Sequence, residues 1–237
     1  MKQINTYIFE HSKNSKFSIL ERLHINKDID NHYYYNYHPK TKVELIKIVD
    51  QLIKERGKDA DLNDIDTSEI TDMYQLFYDS KFNGDISGWN VSNVKDIGRM
   101  FQYSEFTGEN GDISIWDVSN VKNMHCVFYG SKFNGDISEW NVSNVKDMGC
   151  MFAYSEFNGD ISNLDTSNVE DMSSMFEASE FNGDISKWDV SKVENMNAMF
   201  CNSKFDRDIS KWNVSKVEDM GAMFYGSPLE KNPPKWY

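Results

Sequence analysis

Residues 181–200 read FNGDISKWDVSKVENMNAMF, and close copies of this stretch recur from Asp61 to near the end of the 237-residue chain. Counted from the aspartate of the Asp-Ile-Ser step, successive copies are 24 residues apart, with one three-residue insertion near Asn110. The copies begin at Asp61, Asp85, Asp112, Asp136, Asp160, Asp184 and Asp208. A fixed period of this length predicts a repeat protein in which each coil packs on its neighbours.

The charge of the chain is divided unevenly between its two parts. Residues 1–60 carry 11 Lys and Arg against 8 Asp and Glu, whereas residues 61–237 carry 14 against 30. A surface this acidic repels the phosphates of nucleic acids and of anionic membranes, which basic side chains would have to neutralise. The repeat part is therefore not expected to bind nucleic acid or a membrane.

Export and membrane insertion leave no signal in the sequence. Residues 1–10 contain no apolar run typical of a signal peptide, and no later segment approaches the roughly 20 apolar residues of a membrane span. Cys126, Cys150 and Cys201 form no CxxC pair, and an odd number of cysteines argues against a disulfide framework. We therefore predict a cytoplasmic protein.

Before the repeats, residues 1–38 read as a partly flexible lead-in and residues 39–60 as an N-terminal capping helix. The motif Thr41-x-x-Glu44 is a capping box, and Leu45, Val49 and Leu52 fall on one face of a helix. Gly57 suits the left-handed residue that follows a helix. Such a one-faced helix is expected to cover the open end of the first coil.

At the other end, residues 61–231 comprise seven coils and residues 232–237 a truncated eighth coil. Counting on by 24 from Trp212 gives Trp236, which is expected to cover the last tryptophan of the core. Pro233 and Pro234 lack the N–H groups that would pair with a further strand. We therefore expect residues 232–237 to act as a C-terminal cap.

Within each repeat, two hydrophobic periods follow one another. In residues 86–91, Trp89 and Val91 alternate with the polar Asn90, which predicts a short strand. Val94, Ile97 and Phe101 follow at spacings of three and four, which predicts a short helix or helical turn. The predicted fold is an α/β solenoid with one short parallel strand and one helical turn in each coil.

The apolar columns of the repeat are few in residue type. All six tryptophans share one column, eleven of the twelve methionines lie in two others, and a further column is entirely phenylalanine. Because these residue types recur in nearly every coil, with Ile65 and Leu164 in the tryptophan column of the other two, we interpret them as packing and not as a cofactor site.

The extended pattern W-[ND]-V-S-[NK]-V-x-[DN]-M-x-x-M-F-x-x-S-x-F-N-G-D-I-S covers residues 61–229 and resembles the BspA-like leucine-rich-repeat family of bacterial surface proteins. The resemblance implies a right-handed superhelix that works in adhesion or protein binding without catalysis. It also implies the cell surface as an alternative location. The lead-in is similar to N-terminal segments of predicted phage proteins, which adds a virion as a second alternative.

No pattern in the sequence predicts a catalytic site, a cofactor or a metal. The aspartates of the Asp-Ile-Ser steps would stack along the array, and a shared calcium ion is one way to relieve their repulsion. An aspartate after Asn-Gly more commonly accepts a hydrogen bond within its own turn, so we predict turn-capping. Cys126 and Cys150 occupy the same repeat position, but ordinary free thiols are the expected interpretation.

We expect a protein partner to bind two exposed columns on the predicted strand face, which we call the predicted strip. The alternative surface is the predicted helical side, which includes Tyr103 and Tyr154. One column varies strongly between coils and includes the apolar Ile115, a plausible anchor. The other column is uniformly Asn or Asp. The candidate residues are Ile115, Glu139, Asn163, Lys187 and Lys211 in the variable column, and Asn90, Asp117, Asn141, Asp165 and Asp189 in the polar column.

Two other functions remain open at the level of sequence. An acidic decoy could imitate nucleic acid, but Lys187 and Lys211 interrupt the carboxylates that such a mimic would need at regular spacing. A structural or accessory role in a phage virion would follow from the resemblance of the lead-in. The sequence names neither the partner nor the oligomeric state.

Overall fold

A computed structural model describes residues 35–237, and its regular elements in this range are helix α1 (Lys42–Arg56) and a short 3-10 helix (Pro228–Lys231). Most of the predicted lead-in, residues 1–34, lies outside the described residues. Tyr37–Tyr237 forms one unit with a continuous apolar core.

Helix α1 begins directly after Thr41, the residue predicted as its N-cap. The Thr41 hydroxyl accepts a hydrogen bond from the Glu44 N–H at 3.3 Å, and Gly57 ends the helix at φ 90° while its N–H donates to the Ile53 carbonyl at 2.9 Å. Leu45 and Leu52 are fully buried. The guanidinium of Arg56 holds both carboxylate oxygens of Asp64 at 2.9 Å, which ties α1 to the first coil.

Isolated parallel bridges, one full repeat apart, join successive coils, and the first two coils are also linked by a bridge between Asp61 and Asp85. One series of bridges links an Asp or Asn position in each coil to its equivalent in the next. The linked residues are Asp72, Asp96, Asn123, Asp147, Asp171, Asn195 and Asp219. The coils therefore stack in the register that the 24-residue period predicts, with the insertion near Asn110 absorbed between Asp96 and Asn123.

The predicted strands are absent, so the prediction of a strand-rich α/β solenoid is wrong for the described residues. Where a strand was expected, the Trp89 N–H donates to the Ile86 carbonyl at 3.1 Å and the Val94 N–H to the Val91 carbonyl at 2.9 Å. These bonds close tight turns on either side of Asn90. Two consecutive turns bring Trp89 and Val91 inward, as a strand would, without any sheet.

The predicted helical turn is also wrong, because the backbone reverses hand within it. Arg99 has φ 56° and Tyr103 has φ 59°, left-handed values that no α-helix contains. The Met100 N–H closes a turn onto the Ile97 carbonyl at 3.0 Å, while the Phe101 N–H donates to Val127 in the next coil at 3.0 Å. The spacing of three and four thus comes from successive turns that alternate bonds within and between coils.

Two parallel ladders of phenylalanine run through the core. In one ladder the ring centroids of successive coils are 5.5–5.9 Å apart, and in the other 6.1–6.4 Å. The tryptophans add a hydrogen bond to packing: Trp140 Nε1–H donates to the Ile113 carbonyl of the preceding coil at 2.9 Å. The interpretation of these columns as core is confirmed, since the Phe and Trp side chains of the inner coils are buried.

After the 3-10 helix, Trp236 packs against the C-terminal end of the core. Its ring stacks on Trp212 with centroids 6.4 Å apart, and its Nε1–H donates to the Ile209 carbonyl at 3.1 Å. Tyr237 meets Phe224 edge-on at 4.8 Å. Trp236 therefore continues the tryptophan column by one position.

Candidate functional site

All ten residues of the predicted strip are exposed, but they lie on a face made of turns instead of strands. Ile115, Glu139 and Lys187 each occupy the outer corner of the turn that precedes the core tryptophan. Asn163 and Lys211 hold the equivalent corners of their own coils. The variable column is thus free to change, because a turn corner leaves its side chain in solvent.

The polar column of the strip has a structural role that limits its residue type. A side-chain oxygen of each member accepts a hydrogen bond from the N–H two residues further on, at 2.9–3.2 Å. Asn and Asp both offer this oxygen, so their exchange is neutral for the turn. The residues concerned are Asn90, Asp117, Asn141, Asp165 and Asp189. The turn therefore accounts for the residue type of the polar column, and partner binding by either column stays a prediction.

The aspartates of the repeat start also cap their own turns, which confirms the turn-capping prediction. Each accepts from the N–H two residues further on, as Asp184 does from Ser186 at 2.9 Å. This backbone hydrogen bond lowers the pKa of Asp160, Asp184 and Asp208. The other members are Asp61, Asp85, Asp112 and Asp136.

A second exposed feature is a row of tyrosine rings, Tyr78, Tyr103, Tyr129 and Tyr154, which we call the tyrosine row. Successive ring centroids are 6.0, 5.2 and 5.3 Å apart, so the rings touch across four coils. Tyr78, Tyr103 and Tyr154 are 44%, 46% and 51% exposed. The row lies roughly half a coil along the chain from the predicted strip.

Backbone residues with positive φ determine where these rings lie. Tyr103 and Tyr154 themselves have φ 59° and 56°, while Tyr78 and Tyr129 come one position earlier in their coils. Gly130 has no side chain where the Tyr103 ring passes; a Cβ there would come within 2.7 Å of the Tyr103 Cδ1. The Tyr154 hydroxyl donates to Glu177 Oε1 at 2.8 Å, which raises the pKa of Tyr154.

Close to the tyrosine row, three potential ligands meet between two coils: His125, Cys126 and Cys150, which we call the thiol cluster. One side-chain donor atom from each lies within 4.8 Å of the other two. Cys126 and Cys150 hold the same left-handed position in adjacent coils, each with φ 55°, and the Cys126 N–H donates to the Gly149 carbonyl at 2.8 Å. The stacking register therefore builds the cluster.

The pKa values of the two thiols in the cluster are shifted in opposite directions. A hydrogen bond from the Cys126 thiol lowers the pKa of Cys150, and the positive potential of His125 acts in the same direction. The same bond and burial raise the pKa of Cys126, which therefore keeps its hydrogen. Asp147 Oδ1 lies 3.3 Å from His125 Nδ1 and raises the pKa of the imidazole.

The tyrosine row and the thiol cluster both needed the structure to be found. The sequence placed Cys126 and Cys150 at one repeat position, but the contribution of His125 depends on side-chain direction. The tyrosines alternate between two repeat positions, so no single column of the sequence contains them.

Comparison with known proteins gives a family without an assigned activity. A family described as "Mycoplasma protein of unknown function, DUF285" matches residues 47–156 and again residues 131–236. The resemblance to BspA-like leucine-rich repeats is therefore wrong as a family assignment, and the leucine-rich-repeat solenoid expected from it is not what the structure contains. No curated protein and no solved structure matches the chain. Among residues 35–237, no helix has the length and apolar character needed to cross a membrane.

Proposed function

The chain belongs to the DUF285 family of proteins of unknown function, and we propose that it is a non-catalytic protein-binding module that contacts its partner through the tyrosine row. The observation that carries the proposal is a row of touching tyrosine rings on four consecutive coils, three of which are exposed. The predicted strip remains a prediction and provides the alternative surface.

Tyrosine is the residue type that this role favours. Five of the seven large apolar or aromatic side chains exposed within residues 35–237 are tyrosines, and three of these belong to the row. Tyrosine is enriched at the centres of protein interfaces, because a rigid ring buries a large area at small entropic cost and its hydroxyl still finds a partner. Ring contacts between coils hold Tyr103 and Tyr129 in place before any partner binds, which reduces the cost of ordering them.

The acidic charge of the repeat part favours a partner with a basic surface. Residues 61–237 carry 30 acidic against 14 basic side chains, so association with a basic protein is accelerated at low ionic strength. The row itself ends on a carboxylate, since Tyr154 is bonded to Glu177. We therefore expect complex formation to weaken as salt is added.

Site-specific photocrosslinking tests the proposal. A photoreactive phenylalanine derivative replaces Tyr103 in one protein and Lys187, on the predicted strip, in another. Both are exposed to lysate from the source cells and irradiated. We expect a discrete crosslinked protein at position 103, with the crosslink competed by unlabelled wild-type chain.

Two multiple variants act as matched controls in a quantitative pull-down. Tyr103→Ser with Tyr154→Ser should lose the crosslinked protein, whereas Ile115→Lys with Glu139→Lys and Lys187→Glu should retain it. The three strip substitutions are at exposed turn corners and should each change stability by no more than about 0.5 kcal/mol. The tyrosine variant also loses ring contacts between coils, so circular dichroism checks that it is folded before the pull-down. Retention by the tyrosine variant and loss by the strip variant would transfer the binding site to the strip. Retention by both would contradict the proposal.

We also propose a cytoplasmic location, supported by the free state of all three cysteines. Cys126 and Cys150 are close enough for their thiols to interact, yet they are not bonded to each other. Protease treatment of intact cells tests this location, because a cytoplasmic protein stays intact. Digestion would favour the alternative location at the cell surface.

A further inference from the structure

The thiol cluster has the composition of a metal site, and the binding of a protein through the tyrosine row does not require it. It joins two sulfurs and one imidazole at the boundary of two coils, with donor atoms within 4.8 Å of one another. Cys126 is buried, and His125 and Cys150 are half-buried. A metal here would be shielded from bulk water but still reachable from one side.

The donor set selects a soft or borderline cation. Thiolate and imidazole bind zinc at about 2.3 Å and 2.0–2.1 Å, and tetrahedral zinc sites commonly combine them. In a tetrahedron with these bond lengths, the donor atoms are roughly 3.5–3.8 Å apart. Donors already within 4.8 Å of one another therefore need only small side-chain movements to close on the ion.

The histidine is oriented by a carboxylate, as is usual for a zinc ligand. Asp147 Oδ1 lies 3.3 Å from His125 Nδ1. An ionised carboxylate only accepts, so Nδ1 carries the hydrogen of that bond, and in the neutral imidazole Nε2 is then the nitrogen whose lone pair can bind a metal. Asp147 is itself held, because the same Oδ1 accepts from the Gly149 N–H at 2.8 Å. Asp–His pairs of this kind orient zinc ligands and raise their basicity.

We propose that His125, Cys126 and Cys150 bind one zinc ion that links two adjacent coils. Binding converts both thiols to thiolates and releases two protons, and the two sulfur charges balance the charge of the ion. Three protein ligands leave a fourth position for water or for a ligand from a partner.

Cobalt(II) is the probe for the site, because it takes zinc positions and reports its ligands in its spectrum. The reduced full-length chain is titrated with cobalt and then with zinc. We expect thiolate-to-cobalt charge-transfer bands and tetrahedral d–d bands that saturate at one equivalent and disappear when zinc is added. Cys150→Ser and His125→Gln should remove or strongly alter these bands, whereas Cys201→Ser should leave them unchanged.

A second pair of variants tests the proposed role of Asp147, which is to orient His125 and not to bind the metal itself. Asp147→Asn keeps an oxygen for the Gly149 N–H but loses the charged partner of the imidazole, so zinc affinity should fall by roughly 10–100-fold. Asp219→Asn makes the equivalent change three coils later, where Asp219 Oδ1 accepts from the Gly221 N–H at 2.8 Å, and should leave the affinity unchanged. Circular dichroism of each variant shows whether it folds before it is titrated.

Three results would overturn the assignment. The first is an absence of thiolate-to-cobalt bands in the folded, reduced wild-type chain. The second is full retention of these bands by Cys150→Ser. The third is a Cys126–Cys150 disulfide in protein purified without reductant, combined with no metal uptake after reduction.

Discussion

The two ends of the coil stack are covered to different degrees. At the N-terminal end, helix α1 packs on the first coil, and Leu45, Val49 and Leu52 are all but fully buried. At the C-terminal end of the described residues, the short 3-10 helix and residues 232–237 lie against the last coil, and its apolar positions Val214, Val217 and Met220 are half-buried. Their equivalents one coil earlier, Val190, Val193 and Met196, are at most 1% exposed.

This difference in burial predicts that copies of one repeat sequence differ in local stability along the stack. A coil gains its stability from contacts with both neighbours, so a coil that is only partly covered on one side is less stable. Local opening free energies in proteins range from near zero up to the global value, and poorly buried segments open first. We therefore expect stability to decrease towards the C-terminal coil.

The largest expected effect comes from removing a tryptophan from the middle of the stack. Trp140→Ala deletes a buried ring and the donor to the Ile113 carbonyl, and should cost about 3–5 kcal/mol of unfolding free energy. Trp236→Ala at the C-terminal end should cost much less, because that ring is half-buried. Urea unfolding of both variants measures the difference. Equal losses would contradict the difference between middle and end.

The two covers can be compared directly. Leu52→Ala on α1 removes a fully buried side chain and should cost about 2–5 kcal/mol. Leu229→Ala in the 3-10 helix removes a half-buried side chain of the same size and should cost less. Thermal unfolding of the two variants tests this. A greater loss for Leu229→Ala would show that the C-terminal cover is the stronger one.

The smallest expected effect is the loss of stability at acidic pH. It should not depend on where in the stack an aspartate lies. The folded pKa of Asp184 and of Asp208 lies below the ordinary value of 3.8, so these groups stabilise the fold above that pH. The stabilisation is lost as pH falls through the folded pKa. Melting temperatures should therefore be level near neutral pH and fall below about pH 4.

Substitution by asparagine isolates this contribution, since its side-chain oxygen still accepts the hydrogen bond from the turn. Asp184→Asn and Asp208→Asn should each make the acid loss slightly smaller, and by the same amount, because both carboxylates are exposed. A clear difference between the two variants would show that exposed turns also depend on their place in the stack.

The sequence predicts what the period and residue type determine directly. The spacing of 24 predicts the stacking register, the recurring Phe and Trp columns predict the core, and Thr41 and Gly57 predict the limits of α1. The hydrogen bonds of the aspartate turns are also predictable, because the side-chain oxygen and the N–H that donates to it are only two residues apart in the sequence.

The secondary structure of the coil was not predictable from the same pattern. Apolar residues spaced by three and four are typical of a helix but also of successive turns. Left-handed φ values are normally expected at glycine. In this chain the left-handed positions carry residues as different as Arg99, Cys126 and Ser174, so residue type gives no warning. Backbone bonds between coils hold these conformations, and such long-range support is invisible in a single repeat.

The tyrosine row and the thiol cluster were not predicted for a related reason. Ile115 is visible in the sequence as a single apolar residue in a polar column. The contact between Tyr103 and Tyr129 joins two different repeat positions, and it becomes visible only when the coils are stacked.

Hydrogen exchange of the amides that join the coils tests the central claim most directly. The Phe152 N–H donates to the Met175 carbonyl at 3.0 Å in the middle of the stack, and the Phe200 N–H donates to Met223 at 2.9 Å beside the last coil. The two bonds are equivalent in geometry and differ in what covers them. We expect protection at Phe152 to approach that of global unfolding and protection at Phe200 to be measurably lower. Equal protection at both amides, or lower protection at Phe152, would contradict a stack whose stability falls towards its C-terminal end.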